Sequence, residues 1–117
     1  MSGLAERVIA ALEPLVEKGS VTRDIYRGEA RTWIRVSSYA VPADSADNAV
    51  RGYAHHYQVS VFSDELDPEE KFADAIDGAM LALGFSPDGV RRLDPDGAPG
   101  TLHYMSQWAV YEEGIRG

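Results

Sequence analysis

The chain has 117 residues, contains no cysteine and carries a formal net charge of −8 at pH 7. The absence of cysteine excludes a disulfide framework, a thiolate metal site and a cysteine nucleophile. The acidic balance opposes tight binding to a phosphate backbone, because such binding depends on lysine and arginine. No apolar run approaches the roughly 18 residues that a membrane span requires. A chain of this length, with 44% hydrophobic residues, is expected to fold as one domain, residues 1–117, around one core.

The first predicted element is an amphipathic helix over residues 3–18. Its apolar residues recur at helical spacing and are Leu4, Val8, Ala11, Leu12 and Leu15. Pro14 removes a backbone donor near the end of this segment, so the helix is expected to kink there or to split after Ala10 or Ala11.

Period-2 patterns predict four strands. Residues 32–39 are rich in β-branched and aromatic side chains, and residues 53–62 alternate between two faces. Residues 101–112 alternate with both faces partly apolar, as in a central strand that is covered on two sides. Residues 90–93 are a shorter candidate.

Two segments between these strands are predicted to be exposed loops. Residues 40–52 are small and polar and include Pro42, and residues 94–100 contain two prolines and two glycines. Loops of this length are often used for contact with another molecule.

A second helix is predicted over residues 68–83. Asp67 is a suitable N-cap, Pro68 is suited to the first helical position, and Glu70 follows three residues after the cap. Between residues 64 and 77 the chain holds seven carboxylates and one lysine. This acidic segment is either a solvated helix face or a surface that repels DNA or meets a basic partner.

These elements predict an α+β fold. Consecutive strands joined by loops favour a single antiparallel or mixed sheet of about four strands, with the two amphipathic helices packed on one face. The other face then has no cover from within the chain, and Trp33, Tyr53 and Tyr57 are expected to emerge there. A mixed polar and aromatic face suggests contact with further copies or with partners.

No catalytic constellation is visible in the sequence. His55 and His56 are adjacent on a predicted strand and therefore point to opposite faces. The H-E-x-x-H, G-x-S-x-G and phosphate-binding glycine motifs are absent. We therefore expect no enzyme activity, no cofactor and no metal. One alternative stays open, a small enzyme or ligand-binding domain that pairs His56 with His103 across neighbouring strands.

Three segments together resemble the tail terminator and minor tail (head-tail joining) proteins of long-tailed phages and prophages. They are YQVSVFS at 57–63, the helix end ALGF at 82–85 and the aromatic strand LHYMSQWAVY at 102–111. The family pattern YQ-x-x-[VI]-[FW]-[SD] precedes an amphipathic helix and GF, and follows a strand that passes into a proline-containing loop, as at residues 39–42. The resemblance covers residues 25–111.

The resemblance implies a homo-oligomeric ring, commonly a hexamer, at the head-proximal end of the tail in the virion, assembled in the host cytoplasm. Such a ring stops polymerisation of the tail tube and meets the major tail tube protein and the head-tail connector protein, while DNA passes through without specific binding. Candidate contacts between subunits or with the tube are Trp33, Tyr53, Tyr57, Asp44, Asp47, Arg51 and Asp96. Candidate acids of the lumen are Asp64, Glu65, Asp67, Glu69 and Glu70.

Two other functions remain compatible with the sequence. Head-tail connector proteins, as adaptors or stoppers, have a similar size and similar strands. A small acidic adaptor that uses its helix to occupy a basic surface, as DNA mimics do, would also explain the acidic segment.

Overall fold

The computed structural model describes residues 3–16, 20–23, 28, 30–46, 49–89, 91–95 and 100–112, with the backbone alone at 43–46, 49–51 and 112. In chain order the elements are α1 (Leu4–Leu12), a short 3₁₀ helix (Glu13–Leu15), β1 (Val21–Thr22), β2 (Thr32–Ala46), β3 (Ala49–Ser63), α2 (Pro68–Ala82), β4 (Ser86–Pro87), β5 (Arg92–Pro95) and β6 (Leu102–Glu112).

The described strands form one mixed sheet, which confirms the predicted α+β class but with six strands in place of about four. Its order is β1-β2-β3-β6-β4, and β5 also pairs with β6. β1 runs parallel to β2, and the other pairs are antiparallel. The two additional strands, β1 and β4, have only two residues each, so no periodicity could reveal them.

Both helices pack on the same face of this sheet. α1 contributes Val8 and Leu12, and α2 contributes Phe72, Ile76 and Met80, to a core that they share with β2, β3 and β6. The residues that these three strands contribute to the core are Ile34, Val36, Tyr57, Val59, Val61 and Trp108, and β1 adds Val21. Within the described residues, neither helix has the length and apolar character needed to cross a bilayer.

The ends of the two helices follow from local chemistry. The Asp67 carboxylate accepts hydrogen bonds from the backbone N–H groups of Glu69 and Glu70 at 3.0 and 3.2 Å, so Asp67 is the predicted N-cap of α2. Gly84 ends α2 with a φ of 94°, which only glycine adopts without strain. α1 stops at Leu12, and Pro14 lies in the short 3₁₀ helix that follows.

The largest difference from the sequence-based expectation of a loop at residues 40–52 is that residues 40–46 and 49–52 belong to β2 and β3. β2 and β3 continue their pairing through Val41↔Ala54 and on to Ala46↔Ala49, and they form a long hairpin. The Ile34 N–H donates to the carbonyl oxygen of Ser20, the residue before β1, so even-numbered residues of β2 direct their backbone groups away from β3. Pro42 is one of these, and its missing N–H therefore costs no bond to β3.

Candidate functional site: the open face of the sheet

The three long strands expose one face of the sheet to which neither helix contributes. We call it the open face and define it by the side chains that alternate away from the core. Strand register arranges them in five rungs, Trp33-Phe62-His103, Arg35-Ser60-Met105, Ser37-Gln58-Gln107, Tyr39-His56-Ala109 and Val41-Ala54-Tyr111.

The first rung is a continuous aromatic stack. The Phe62 ring lies 5.2 Å from the Trp33 ring and 4.3 Å from the His103 ring, nearly parallel to both. The Arg35 guanidinium lies 5.3 Å from the centre of the Phe62 ring, in the range of a cation–π contact. Phe62 is consequently buried by its neighbours although it belongs to the open face.

A polar cleft of about 130 Å³ occupies the middle of the open face. Its lining includes Ser37, Gln58 and Gln107. At one side, His56 Nδ1 lies 2.8 Å from an Asp88 carboxylate oxygen, and the His56 ring stacks on Tyr39 with 4.8 Å between ring centres. Asp88 thereby ties the segment after β4 to β3.

The pairing of His56 with His103 considered from the sequence does not occur. His56 lies opposite Ala109 and His103 opposite Phe62, a separation of six residues along β6, or about 20 Å. Among the described residues, no group of three or more histidines and carboxylates is arranged to hold a metal ion.

The far end of the open face is apolar and solvent-exposed. Tyr39, Val41 and Tyr111 expose 63%, 40% and 48% of their surfaces on two adjacent rungs. The Tyr111 ring lies over Gly52, so closely that a β-carbon at Gly52 would overlap the phenol. Glycine at this position is what allows the ring to lie flat on β3.

The predicted aromatic contact residues do not share a face. Trp33 lies on the open face, half-buried, beside Phe62. Tyr57 lies on the helix face, is 4% exposed and packs edge-on against Phe85 with 5.2 Å between ring centres. Tyr53 has the same parity as Tyr57 in β3 and is half-buried. The expectation that Tyr53 and Tyr57 emerge beside Trp33 is therefore wrong, because antiparallel register pairs Trp33 with an even-numbered residue of β3.

The structure describes no side chain of the four polar contact candidates. The backbones of Asp44 and Arg51 belong to the outer part of the β2–β3 hairpin, but their side chains lie outside the described part of the structure. Asp47 and Asp96 lie outside the described residues altogether.

The five candidate lumen acids gather around the start of α2. Three have partners within the chain: Asp64 pairs with Arg31 at 2.9 Å, Glu65 accepts a 3.2 Å bond from the Thr32 hydroxyl, and Asp67 caps the helix. Glu69 and Glu70 occupy the exposed first turn of α2. Their charges favourably meet the positive end of the helix dipole.

An arginine that the sequence did not single out connects the two layers. Arg91 donates 2.7 Å bonds to both oxygens of Asp77 on α2, and its guanidinium lies 4.9 Å from the centre of the Trp108 ring. The bond to Asp77 raises the pKa of Arg91, and burial raises the pKa of the adjacent Tyr104 phenol. No local sequence signal reveals this cluster, because its members are far apart in the chain.

No family model and no curated protein matches the sequence. Among solved structures, a chain from the virion of a native gene transfer agent particle is similar in fold, with a TM-score of 0.55 and 18% sequence identity over 90% of this chain and 86% of that chain. At that identity the similarity shows a common fold. The protein thus has an α+β fold like that of a chain in a virion structure.

Proposed function

We propose that this chain is a structural protein of a phage-like virion, and more specifically a tail terminator. Its copies form a ring, commonly a hexamer, on the head-proximal end of the tail tube, where the ring stops polymerisation and joins the tail to the head connector. The observation that carries the proposal is the fold similarity along nearly the whole chain to a chain of a gene transfer agent virion.

The sequence pattern supports the same role independently of the fold comparison. YQVSVFS at 57–63 forms the end of β3, the capped helix α2 follows, and the aromatic segment 102–111 forms β6 beside β3. The quoted segments are therefore neighbours in one structural unit, as the resemblance to tail terminator proteins implies. The proposed role is architectural and requires neither catalysis nor a cofactor.

The geometry also suits ring assembly. A ring is built from head-to-tail contacts between two different surfaces of the same chain. The open face of the sheet is one such surface, and a neighbouring subunit would meet it through a different surface of its own. The proposed partners are other copies of the chain, the major tail tube protein and the head-tail connector.

The acidic start of α2 is proposed to face the lumen through which DNA passes. Carboxylates repel phosphate over about a Debye length, ~8 Å at physiological salt, so an acidic lumen would not retain DNA. Glu69 and Glu70 are the best candidates, because both are exposed and neither is the cap.

Tube capping by the purified chain tests the terminator role. Tubes polymerised from the cognate tail tube protein, in the presence and absence of the chain, are measured by negative-stain electron microscopy. A terminator gives shorter tubes with a ring of density at one end. Tubes of unchanged length with bare ends contradict the proposal, and a complex with the isolated connector alone assigns the chain to a connector role.

Charge neutralisation tests the lumen separately. The Glu69→Gln/Glu70→Gln variant is compared with Glu13→Gln, which removes an exposed carboxylate from the short helix after α1. Stronger binding of DNA to assembled rings in the first variant alone supports the acidic lumen. Equal DNA binding by both variants and the unaltered ring refutes it.

A further inference from the structure

We infer that the apolar end of the open face is where a second copy of this chain is seated. We call this surface the apolar patch and define it as Tyr39, Val41, Ala54 and Tyr111. The inference deepens the proposed ring function, since it names one of the two surfaces that neighbouring subunits would use.

The apolar patch concentrates exposed hydrophobic surface. Of the five large hydrophobic side chains that are exposed in the described part of the chain, three belong to it, Tyr39, Val41 and Tyr111. Together they expose about 300 Å², whereas an interface of standard size takes about 800 Å² from each partner. The patch therefore supplies the centre of such an interface, and the neighbouring rungs of the open face would supply part of the remainder.

Both tyrosines of the patch are held in place before any partner arrives. Tyr39 stacks on His56, which is in turn bonded to Asp88 at 2.8 Å. Tyr111 lies against Gly52. Rigid aromatic side chains lose little conformational entropy on binding, which is the property of residues that dominate interface energies.

The charges of the chain match a contact between two copies. Among the described side chains of the three long strands, the open face carries the cation Arg35 and no carboxylate. The carboxylates of Asp88 and Asp94 beside these strands are paired, with His56 and Arg92 respectively, although the whole chain has a net charge of −8. Interface centres are typically depleted of charge. A second copy, itself acidic, can therefore approach this face without opposing unpaired carboxylates, and the acidic start of α2 is left to face the lumen.

The β2–β3 hairpin beside the patch would also be stabilised by contact with another surface. Among the described residues, the pairing of β3 with β6 begins at Tyr53, and residues 49–52 pair with β2 as a ribbon. A two-stranded ribbon is marginally stable on its own. It helps to stretch the protein to 52 Å, with a radius of gyration of 15.5 Å, against about 13 Å for a compact chain of this length.

Pro42 indicates whether another copy would contact the edge or the face of this hairpin. Because Pro42 presents no N–H at the edge of β2 that faces away from β3, strand addition along this edge would be interrupted there. Contact through the face of the ribbon avoids this obstacle. A second copy, present wherever the chain is made, is the partner that provides permanent cover.

Sedimentation velocity of the purified chain, without tube protein, tests the inference. Removal of both tyrosine rings in Tyr39→Ser/Tyr111→Ser is expected to weaken self-association by at least ~30-fold per ring, with an unchanged circular dichroism spectrum. Leu81→Ser is the matched control, since Leu81 is 55% exposed on α2; it should leave self-association unchanged. A monomeric unaltered chain, an unaffected double variant, or equal weakening by Leu81→Ser would overturn the inference.

Thiol protection gives a second readout that does not depend on disrupting the interface. The chain has no cysteine, so Val41→Cys introduces a single thiol into the patch with little change in volume. Its reaction with a maleimide should slow as protein concentration rises, while that of Leu81→Cys should not. Equal rates for monomer and oligomer at Val41→Cys overturn the inference. If the Val41→Cys thiol is protected on self-association but the chain does not cap tubes, the inference about the patch stands and the terminator role is refuted.

Discussion

Substitution of Asp67 by alanine separates two roles that this carboxylate is assigned, helix cap and lumen acid. Its side chain accepts bonds from the N–H groups of Glu69 and Glu70 at the start of α2. An alanine at an N-cap typically costs about 1 kcal/mol of folding stability, and loss of the negative charge near the helix dipole adds roughly 0.3–1 kcal/mol. We therefore expect Asp67→Ala to lower the free energy of unfolding by about 1–2 kcal/mol.

The corresponding change in melting temperature can be derived from chain length. Unfolding entropy is about 2.1 cal/mol/K per residue, which for 117 residues is roughly 0.25 kcal/mol/K. The expected decrease is therefore about 4–8 °C, measured by circular dichroism or calorimetry. Asp67→Asn is the decisive control, because asparagine keeps a capping oxygen but removes the charge. It should retain most of the stability.

Two results would refute this reasoning. If Asp67→Ala has the same melting temperature as the unaltered chain, the observed cap contributes nothing to stability. If Asp67→Asn is as unstable as Asp67→Ala, then charge and not the hydrogen bonds explains the effect. A stable Asp67→Asn variant can then be assembled into rings to test the lumen role without the confounding loss of the cap.

Three further changes test the core, the patch and the buried phenol. Ile76→Ala, at a fully buried site of α2, should cost about 2–5 kcal/mol in chemical denaturation, whereas Leu81→Ala, exposed on the same helix, should change stability by less than about 0.5 kcal/mol. Gly52→Ala should destabilise the fold because its methyl group overlaps the Tyr111 phenol, and combination with Tyr111→Ala should relieve that cost; additive costs would contradict this packing. Burial raises the pKa of Tyr104 in the folded protein above the unfolded value of about 10. The contribution of the neutral phenol to folding stability is therefore complete below that value and is lost as the pH rises through the higher folded pKa. The free energy of unfolding should fall less steeply at alkaline pH in Tyr104→Phe, and identical pH profiles for the two proteins would contradict this.

The hairpin shows where sequence reasoning loses its basis. Residues 40–46 have poor strand propensity and contain a proline, so local criteria predict a loop. In the structure β2 and β3 continue through these residues because each forms backbone hydrogen bonds with the other. Their register is set in the core part of the sheet by pairs such as Ile34↔Val61. Only this register places Pro42 with its nitrogen away from β3, where a strand tolerates it.

The assignment of side chains to the two faces of the sheet also depends on pairing between distant segments. The alternation within residues 53–62 correctly separates Val59 and Val61 from Ser60 and Phe62. Alternation alone does not say which residue of β2 lies beside which residue of β3. The sequence therefore did not reveal the exposed apolar patch, in which Tyr39 and Tyr111 lie on adjacent rungs.

The sequence by itself determined the α+β class, the capped start of α2 at Asp67 and the alternating faces of the long strands. These features depend on residues within a few positions of one another, where propensity, capping and periodicity act. The tertiary structure alone decided the long hairpin, the placement of Tyr57 in the core and the contact of Arg91 with Asp77 and Trp108. Each of these depends on register and packing between distant segments, whose free energy is absent from any local stretch of the chain.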